Sequence, residues 1–162
     1  MTAYGQKVSD EARRLTYLDL GAFTANTTVT PGPRFGCPPG TTGVRITGIH
    51  LLGSGIPNDP DGVLVVNGLV NDVSEGADDT IVAAEDLETL LVAANRFYEA
   101  TLAADGTEKI LTLEAGDSLR FTLVSDSAAI TLNPNVVVAI EWHHVPDYDD
   151  ITRVQHPSEY QA

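Results

Sequence analysis

The stretch that decides the fold is Asp117-Ser118-Leu119-Arg120-Phe121-Thr122-Leu123-Val124-Ser125. Within it the apolar residues Leu119, Phe121 and Leu123 alternate with polar ones. Side chains on a strand point to opposite faces in turn, so this alternation predicts a strand with one face in a core and the other in solvent. The turn residues Glu114-Ala115-Gly116-Asp117 come directly before it, and residues 108–113 predict a second strand ahead of that short reversal.

Further strands are predicted on both sides of this stretch. Residues 135–142 are apolar on both faces at their start, which is typical of a central strand covered on both sides. Residues 15–20 and 96–102 also predict strands. In residues 43–52 the alternation slips after Gly48, so we expect a β-bulge there. The bulge would place four apolar side chains on one face, namely Val44, Ile46, Ile49 and Leu51.

Three segments interrupt or join these strands. Asn67-Gly68 lies between short apolar runs, which predicts either a two-residue hairpin or one strand bulged at the glycine. Apolar residues at helical spacing predict one short helix around residues 84–93. Residues 31–43 contain four prolines and four glycines and are predicted to form a long surface loop.

Many short strands, turns rich in Gly, Pro, Asn and Asp, and one helix indicate an all-β protein. The prediction is an antiparallel β-sandwich with a jelly-roll-like topology, one short helix and an extended C-terminal tail. We expect an N-terminal arm at residues 1–14, a sandwich domain at 15–145 and the tail at 146–162.

The composition excludes several classes of partner. The chain has 162 residues, with 9 Lys and Arg against 23 Asp and Glu, which gives a net charge of -14 at pH 7. A surface this acidic repels phosphate backbones and anionic lipid, so we expect neither nucleic-acid nor membrane binding. No signal peptide is recognised, and the single cysteine, Cys37, suits folding in a reducing cytoplasm. The same acidity would also suit a halophilic setting.

No motif in the sequence predicts an enzyme. Gly53-Ser54-Gly55 lacks the spacing of a catalytic serine elbow and is interpreted as a turn. Asn58-Asp59-Pro60-Asp61-Gly62 has part of a calcium loop but lacks the other ligands, so it too is interpreted as a turn. The adjacent His143 and His144 would point to opposite faces of a strand. We therefore predict no catalytic residue, no cofactor and no metal site, and interpret the histidines as solvated or interfacial.

The succession of short strands, the turn Leu113-Glu114-Ala115-Gly116-Asp117-Ser118-Leu119-Arg120-Phe121 and the extended termini, with prolines at the C-terminal end, resemble the capsid decoration, or cement, proteins of tailed phages. The resemblance spans roughly residues 15–145. It implies a symmetric oligomer, often a trimer, which is made in the host cytoplasm and sits on the outer capsid surface. There it would bridge neighbouring subunits of the major capsid protein, with the arms gripping the lattice.

Under this interpretation a set of apolar residues becomes buried on assembly. The predicted partner-interface residues are Trp142, Tyr148, Ile151, Val154 and Tyr160. Four acidic residues in the same tail predict a complementary basic surface on a protein partner; they are Asp147, Asp149, Asp150 and Glu159. The alternative function is a carbohydrate-binding or carbohydrate-acting sandwich, which would expose aromatic side chains or a carboxylate pair on one face.

Overall fold

A computed structural model describes residues 13–59, 62–73, 76, 78–102 and 111–145. The predicted arm and tail lie outside these residues, apart from Arg13 and Arg14. The strands are β1 Arg14–Gly21, β2 Thr27–Val29, β3 Phe35–Gly36, β4 Val44–Gly53, β5 Leu64–Asn71, β6 Asp78–Asp86, β7 Phe97–Glu99, β8 Leu111–Leu113, β9 Ser118–Ser125 and β10 Val136–His144; the helix α1 is Leu87–Leu90. None of the helical structure in these ranges has the length and apolarity to cross a membrane.

The strands form two five-stranded antiparallel sheets. In the first sheet the order is β1-β10-β4-β7, and β8 also pairs with β4. In the second the order is β2-β9-β5-β6, and β3 also pairs with β9. The short strands β7 and β8 pair with different parts of β4, so together they form one interrupted edge strand. In the same way, β2 and β3 pair with different parts of β9 and form a second interrupted edge strand. Counted so, the order is that of a jelly roll, which confirms the predicted fold class.

The core lies between the two sheets. The predicted alternation in β9 is confirmed, because Leu119, Phe121 and Leu123 are completely buried. Opposite them β10 runs between β1 and β4 as the predicted central strand, and Ile140 is likewise inaccessible. Burying one such side chain contributes about 1.5–3 kcal/mol to folding, so these central strands hold the sandwich together.

The bulge predicted at Gly48 is confirmed. Glu141 of β10 lies opposite Gly48, whereas the next residue, Trp142, lies opposite Ile46, so Thr47 is the extra residue. The four apolar side chains of β4 named above are buried together as expected. The prediction of a hairpin at Asn67-Gly68 is wrong, and the alternative prediction of one strand bulged at the glycine is confirmed. The strand β5 runs without a break from Leu64 to Asn71 because β9 pairs with it along its whole length, and its register with β6 shifts around Gly68.

Two predictions of local structure need correction. The helix covers only residues 87–90, because residues 78–86 pair with β5 as β6 and Asp86 caps the helix by accepting a hydrogen bond from Glu88 N. The loop at 31–43 is not wholly on the surface, since Phe35 and Cys37 are buried and β3 pairs there with β9. The turn predicted at residues 114–117 is present, since Asp117 N donates to Glu114 O at 3.0 Å, and it leads from β8 in the first sheet to β9 in the second.

Candidate interaction surface on the first sheet

Trp142 lies in the seam between the two sheets, near the end of β10. Its ring centroid is 5.4 Å from that of Phe35, which belongs to the second sheet, and 5.1 Å from that of His144. The indole Nε1 donates a hydrogen bond to Thr16 Oγ1 at 2.9 Å, and the Arg14 guanidinium lies 5.5 Å from the ring centroid. Trp142 is half-buried and closes this end of the core. Its predicted role in a partner interface stays a prediction.

Both ends of the described chain lie beside this tryptophan. Arg14 pairs with Trp142 in the antiparallel β1–β10 ladder, so Arg13 and the end of β10 meet at one end of the first sheet. Val145, the last described residue, is held there because its backbone N–H donates to Gly43 O at 3.1 Å. The Thr42 hydroxyl also donates to Val145 O at 2.6 Å. The predicted arm and tail are therefore attached to the sandwich at the same place.

The outer face of the first sheet carries three exposed apolar side chains, two on the edge strand β1 and one on β7 at the opposite edge. Leu15 is 55% exposed, Tyr17 59% and Phe97 42%. The Tyr17 and Phe97 ring centroids are 5.9 Å apart, with the planes tilted by 43°. We call Leu15, Tyr17 and Phe97 the edge patch. Large apolar groups that share one surface in this way are common at binding sites.

Charged groups border the edge patch on the same face. Arg13 Nη1 lies 2.8 Å from Glu141 Oε1, and the Arg13 side chain remains 75% exposed. His50 Nε2 lies 3.7 Å from the second Glu141 oxygen. On β1 itself, Asp19 Oδ1 accepts hydrogen bonds from Gly21 N at 2.9 Å and Asn135 Nδ2 at 2.7 Å. The surface strand β1 thus carries positive charge at its start and negative charge near its end.

The outer strand of the second sheet, β6, is strongly acidic. It carries four carboxylates, at Asp78, Asp79, Glu85 and Asp86. Arg120 of β9 forms an ion pair with Asp78. The hydrogen bond from Arg120, helped by one from Asn71, lowers the pKa of the Asp78 carboxyl below its ordinary value of 3.8. This carboxylate is therefore ionised at any pH near neutrality.

The two segments that partly match a serine elbow and a calcium loop, around Ser54 and Asp59, form hydrogen bonds with neighbouring segments. Ser54 Oγ accepts a hydrogen bond from Asn135 N at 2.9 Å, and Ser54 N donates to Asn135 O. Asp59 is buried, its backbone N–H donates to Glu88 Oε1, and Gly62 N donates to Asp59 O at 3.4 Å across the turn. Within the described ranges, no three His, Cys, Asp or Glu side chains are grouped so as to hold a metal ion.

The structure places one of the five predicted interface residues, Trp142. Tyr148, Ile151, Val154 and Tyr160 lie outside the described residues. The edge patch was not singled out from the sequence, although a signal for part of it exists. In Leu15-Thr16-Tyr17-Leu18-Asp19-Leu20 the core-facing Leu18 and Leu20 alternate with outward-facing Leu15 and Tyr17. Large apolar residues on both faces of a strand are the signal that could have indicated this patch.

No protein-family model matches the chain. No curated protein matches it either. Among solved structures, the chain is similar to a chain in the structure of the infectious bursal disease virus Gx strain, with 12% sequence identity and a TM-score of 0.30. The similarity covers 94% of this chain and 47% of the viral chain. For a chain of the Gt strain the sequence identity is 10% and the TM-score is 0.27, and the similarity covers 89% of this chain and 42% of the viral chain.

The VP2 subviral particle of the same virus is similar at 9% identity and a TM-score of 0.28, over 86% of this chain and 44% of that one. This chain thus spans less than half the length of each of the three viral chains. Similarity this low shows neither family nor function.

Proposed function

We propose that the chain is a non-enzymatic structural protein of a virion, which decorates the outer capsid surface as a homo-oligomer and bridges neighbouring subunits of the major capsid protein. The observation that carries this proposal is the jelly-roll strand order of the two sheets. Jelly rolls are a recurrent fold of viral capsid domains. A fold alone leaves several functions open, and the chain ends and the charge support the more specific role.

The attachment of the chain ends supports a bridging role. Residues 1–12 and 146–162 join the sandwich beside Trp142, at one end of the first sheet. Two segments that start from one place can reach different neighbours while the sandwich stays on the surface. Segments that become ordered on contact can cover a large area of a partner. The tail carries the apolar residues that such contacts would bury, at Tyr148, Ile151, Val154 and Tyr160.

The charge supports a protein partner over packaged nucleic acid. The net charge of -14 disfavours contact with phosphate groups. The acidic residues of the tail favour a basic surface on the capsid, and attraction of this kind is screened by salt. We therefore expect capsid binding to weaken as the ionic strength rises.

The test is co-sedimentation of the full chain with capsids assembled from the major capsid protein of the same virus. We expect saturable binding to capsids and none to unassembled capsid subunits. Replacing the four apolar tail residues (Tyr148→Ser, Ile151→Ser, Val154→Ser and Tyr160→Ser together) should raise the Kd at least about tenfold, or ~1.4 kcal/mol.

The matched control replaces exposed apolar residues of the sandwich, instead of the tail, with serine. Val63, Val73 and Val92 are exposed, at 42%, 62% and 68%. The combined variant Val63→Ser, Val73→Ser and Val92→Ser should bind capsids like the unaltered chain. The proposal fails if the unaltered chain ignores capsids, or if the tail variant and the control bind equally well.

One observation favours a second candidate function, a carbohydrate-binding module. The jelly roll is also a lectin fold, and Tyr17 and Phe97 are exposed aromatic residues 5.9 Å apart on one face. Aromatic rings of this kind can pack against the apolar faces of sugars. A glycan array separates the two functions: binding that the Tyr17→Ala and Phe97→Ala variants lose would support the module, and silence across the array would remove it.

A further inference from the structure

A two-sheet sandwich has four edges, and three of them are poorly suited to pairing with another strand. The edge of the first sheet beyond β4 is split into β7 and β8, three residues each. The edge beyond β9 is split into β2 and β3, of three and two residues. The β6 edge carries four carboxylates and shifts its register twice against β5. Short strands, bulges and charge are the usual means of keeping an edge from pairing.

The fourth edge, β1, has none of these protections over most of its length. It is eight residues long, and its register with β10 is regular from Arg14 to Asp19. Of the described strands, β10 lies on one side of β1 and none lies on the other. Leu15 and Tyr17 stand exposed along it. A long, regular edge with exposed apolar side chains is a template for a further strand.

The geometry points to a second copy of this chain as that further strand, with β1 pairing antiparallel to the β1 of its partner about a two-fold axis at Thr16. Residues directly opposite each other must face the same side of the sheet. In this register Leu15 lies opposite Tyr17 of the second copy, so the exposed apolar side chains cover each other. Arg13 lies opposite Asp19 of the second copy, so each two-fold interface has two pairs of opposite charge.

The alternative register, centred on Tyr17, is less favourable. It would place Leu15 opposite Asp19 and Arg13 opposite Gly21, which pairs an apolar group with a carboxylate and gives Arg13 no charged partner in the second copy. The existing contact of Arg13 with Glu141 does not prevent the pairing. A guanidinium has five N–H donors, and this side chain is 75% exposed, so it can reach two carboxylates at once.

The two-fold pairing joins the first sheets of two copies into one continuous sheet, and it predicts a dimer rather than the trimer that the phage resemblance implies. It does not depend on capsid binding, so the two are tested separately. Sedimentation equilibrium of the full chain should give twice the monomer mass of 17.2 kDa. A monomer, in which another segment of the same chain covers β1, or a trimer would overturn the proposal.

Cysteine cross-linking tests the register directly. The variants Leu15→Cys and Tyr17→Cys are purified separately and oxidised alone or after mixing. Opposite positions on paired strands are close enough for a disulfide, whereas positions displaced by two residues are too far apart. We expect a cross-linked dimer from the mixture and none from either variant alone. The natural Cys37 stays in place, because it is only 2% exposed. Equal cross-linking in all three samples would overturn the register.

Variants that place like or opposite charges at positions 15 and 17 distinguish a loss of strand pairing from a loss of folding. The double variant Leu15→Lys with Tyr17→Lys places like charges opposite each other and should be a monomer at concentrations where the unaltered chain is a dimer. The matched variant Leu15→Lys with Tyr17→Glu places opposite charges there and should remain a dimer. Near-ultraviolet circular dichroism from Trp142 checks that both are folded. If both variants have the same mass, the proposed pairing of positions 15 and 17 is wrong.

Discussion

A side-chain hydrogen bond from Trp142 Nε1 to Thr16 Oγ1 adds to the backbone ladder between β1 and β10, the two strands that carry the chain ends. Thr16→Val keeps the shape and the β-branch of the side chain but removes the acceptor. The half-buried indole N–H would then lack its partner, and a donor left unsatisfied in this way costs about 1–3 kcal/mol. We expect Thr16→Val to lower the free energy of unfolding by about 1–2 kcal/mol, measured by urea denaturation.

The control for this residue is the same substitution at an exposed strand position. Thr28 lies on β2 and is exposed, so Thr28→Val should change the stability by less than about 0.5 kcal/mol. Equal effects of the two substitutions would show that the hydrogen bond contributes nothing. From the sequence, Trp142 ends an apolar strand and is predicted to lie in a partner interface. The sequence could not identify Phe35 as the neighbouring ring, because that residue lies in a segment dominated by proline and glycine.

At the level of single elements, the end of β4 depends on a glycine. A Cβ at Gly53 would lie 2.6 Å from Gly55 O and 3.0 Å from Leu91 Cδ1. The first contact is with backbone, so the turn 53–55 would have to move, and Asn95 N also donates to Gly53 O at 2.8 Å. We expect Gly53→Ala to destabilise the fold by about 1–3 kcal/mol, measured by denaturant or thermal unfolding.

Gly32→Ala is the matched control, because nothing lies within 4 Å of a Cβ built there. That substitution should be neutral, or stabilise by up to about 1 kcal/mol by restricting the unfolded chain. If Gly53→Ala is as stable as Gly32→Ala, the turn is not closely packed in solution.

Elements with their own repeating pattern were predictable, and elements created by distant pairing were not. The strands β9, β10 and β4 show alternation or continuous apolarity, and even the bulge at Gly48 follows from a slip in phase. The pieces β2 and β3 have no such pattern and become strands only because β9 lies beside them. Ile81 and Ala84 have helical spacing with Leu87, but pairing with β5 takes residues 78–86 into a strand and leaves four residues of helix.

On the scale of the whole molecule, charge acts on stability and on association in different ways. With a net charge of -14, the folded chain repels itself. The edge strands differ in charge. The strand β6 has four carboxylates that discourage pairing, whereas β1 has arginines at one end and an aspartate near the other. Sequence composition gave the total charge correctly but could not place it, because which strands become edges depends on the topology.

A salt series therefore separates self-repulsion from specific attraction. Between about 20 mM and about 500 mM sodium chloride the Debye length falls severalfold, so repulsion within the chain is screened and the Tm should rise by about 2–4 °C at fixed protein concentration. Neutralising three exposed acids (Asp79→Asn, Glu99→Gln and Glu114→Gln) brings the net charge from -14 to -11, and this control should show a smaller rise. Capsid binding should weaken over the same series, since it depends on attraction between the acidic tail and a basic surface. A Tm that falls with salt would mean that favourable ion pairs outweigh the repulsion, and capsid binding that strengthens with salt would place the contact on apolar residues alone.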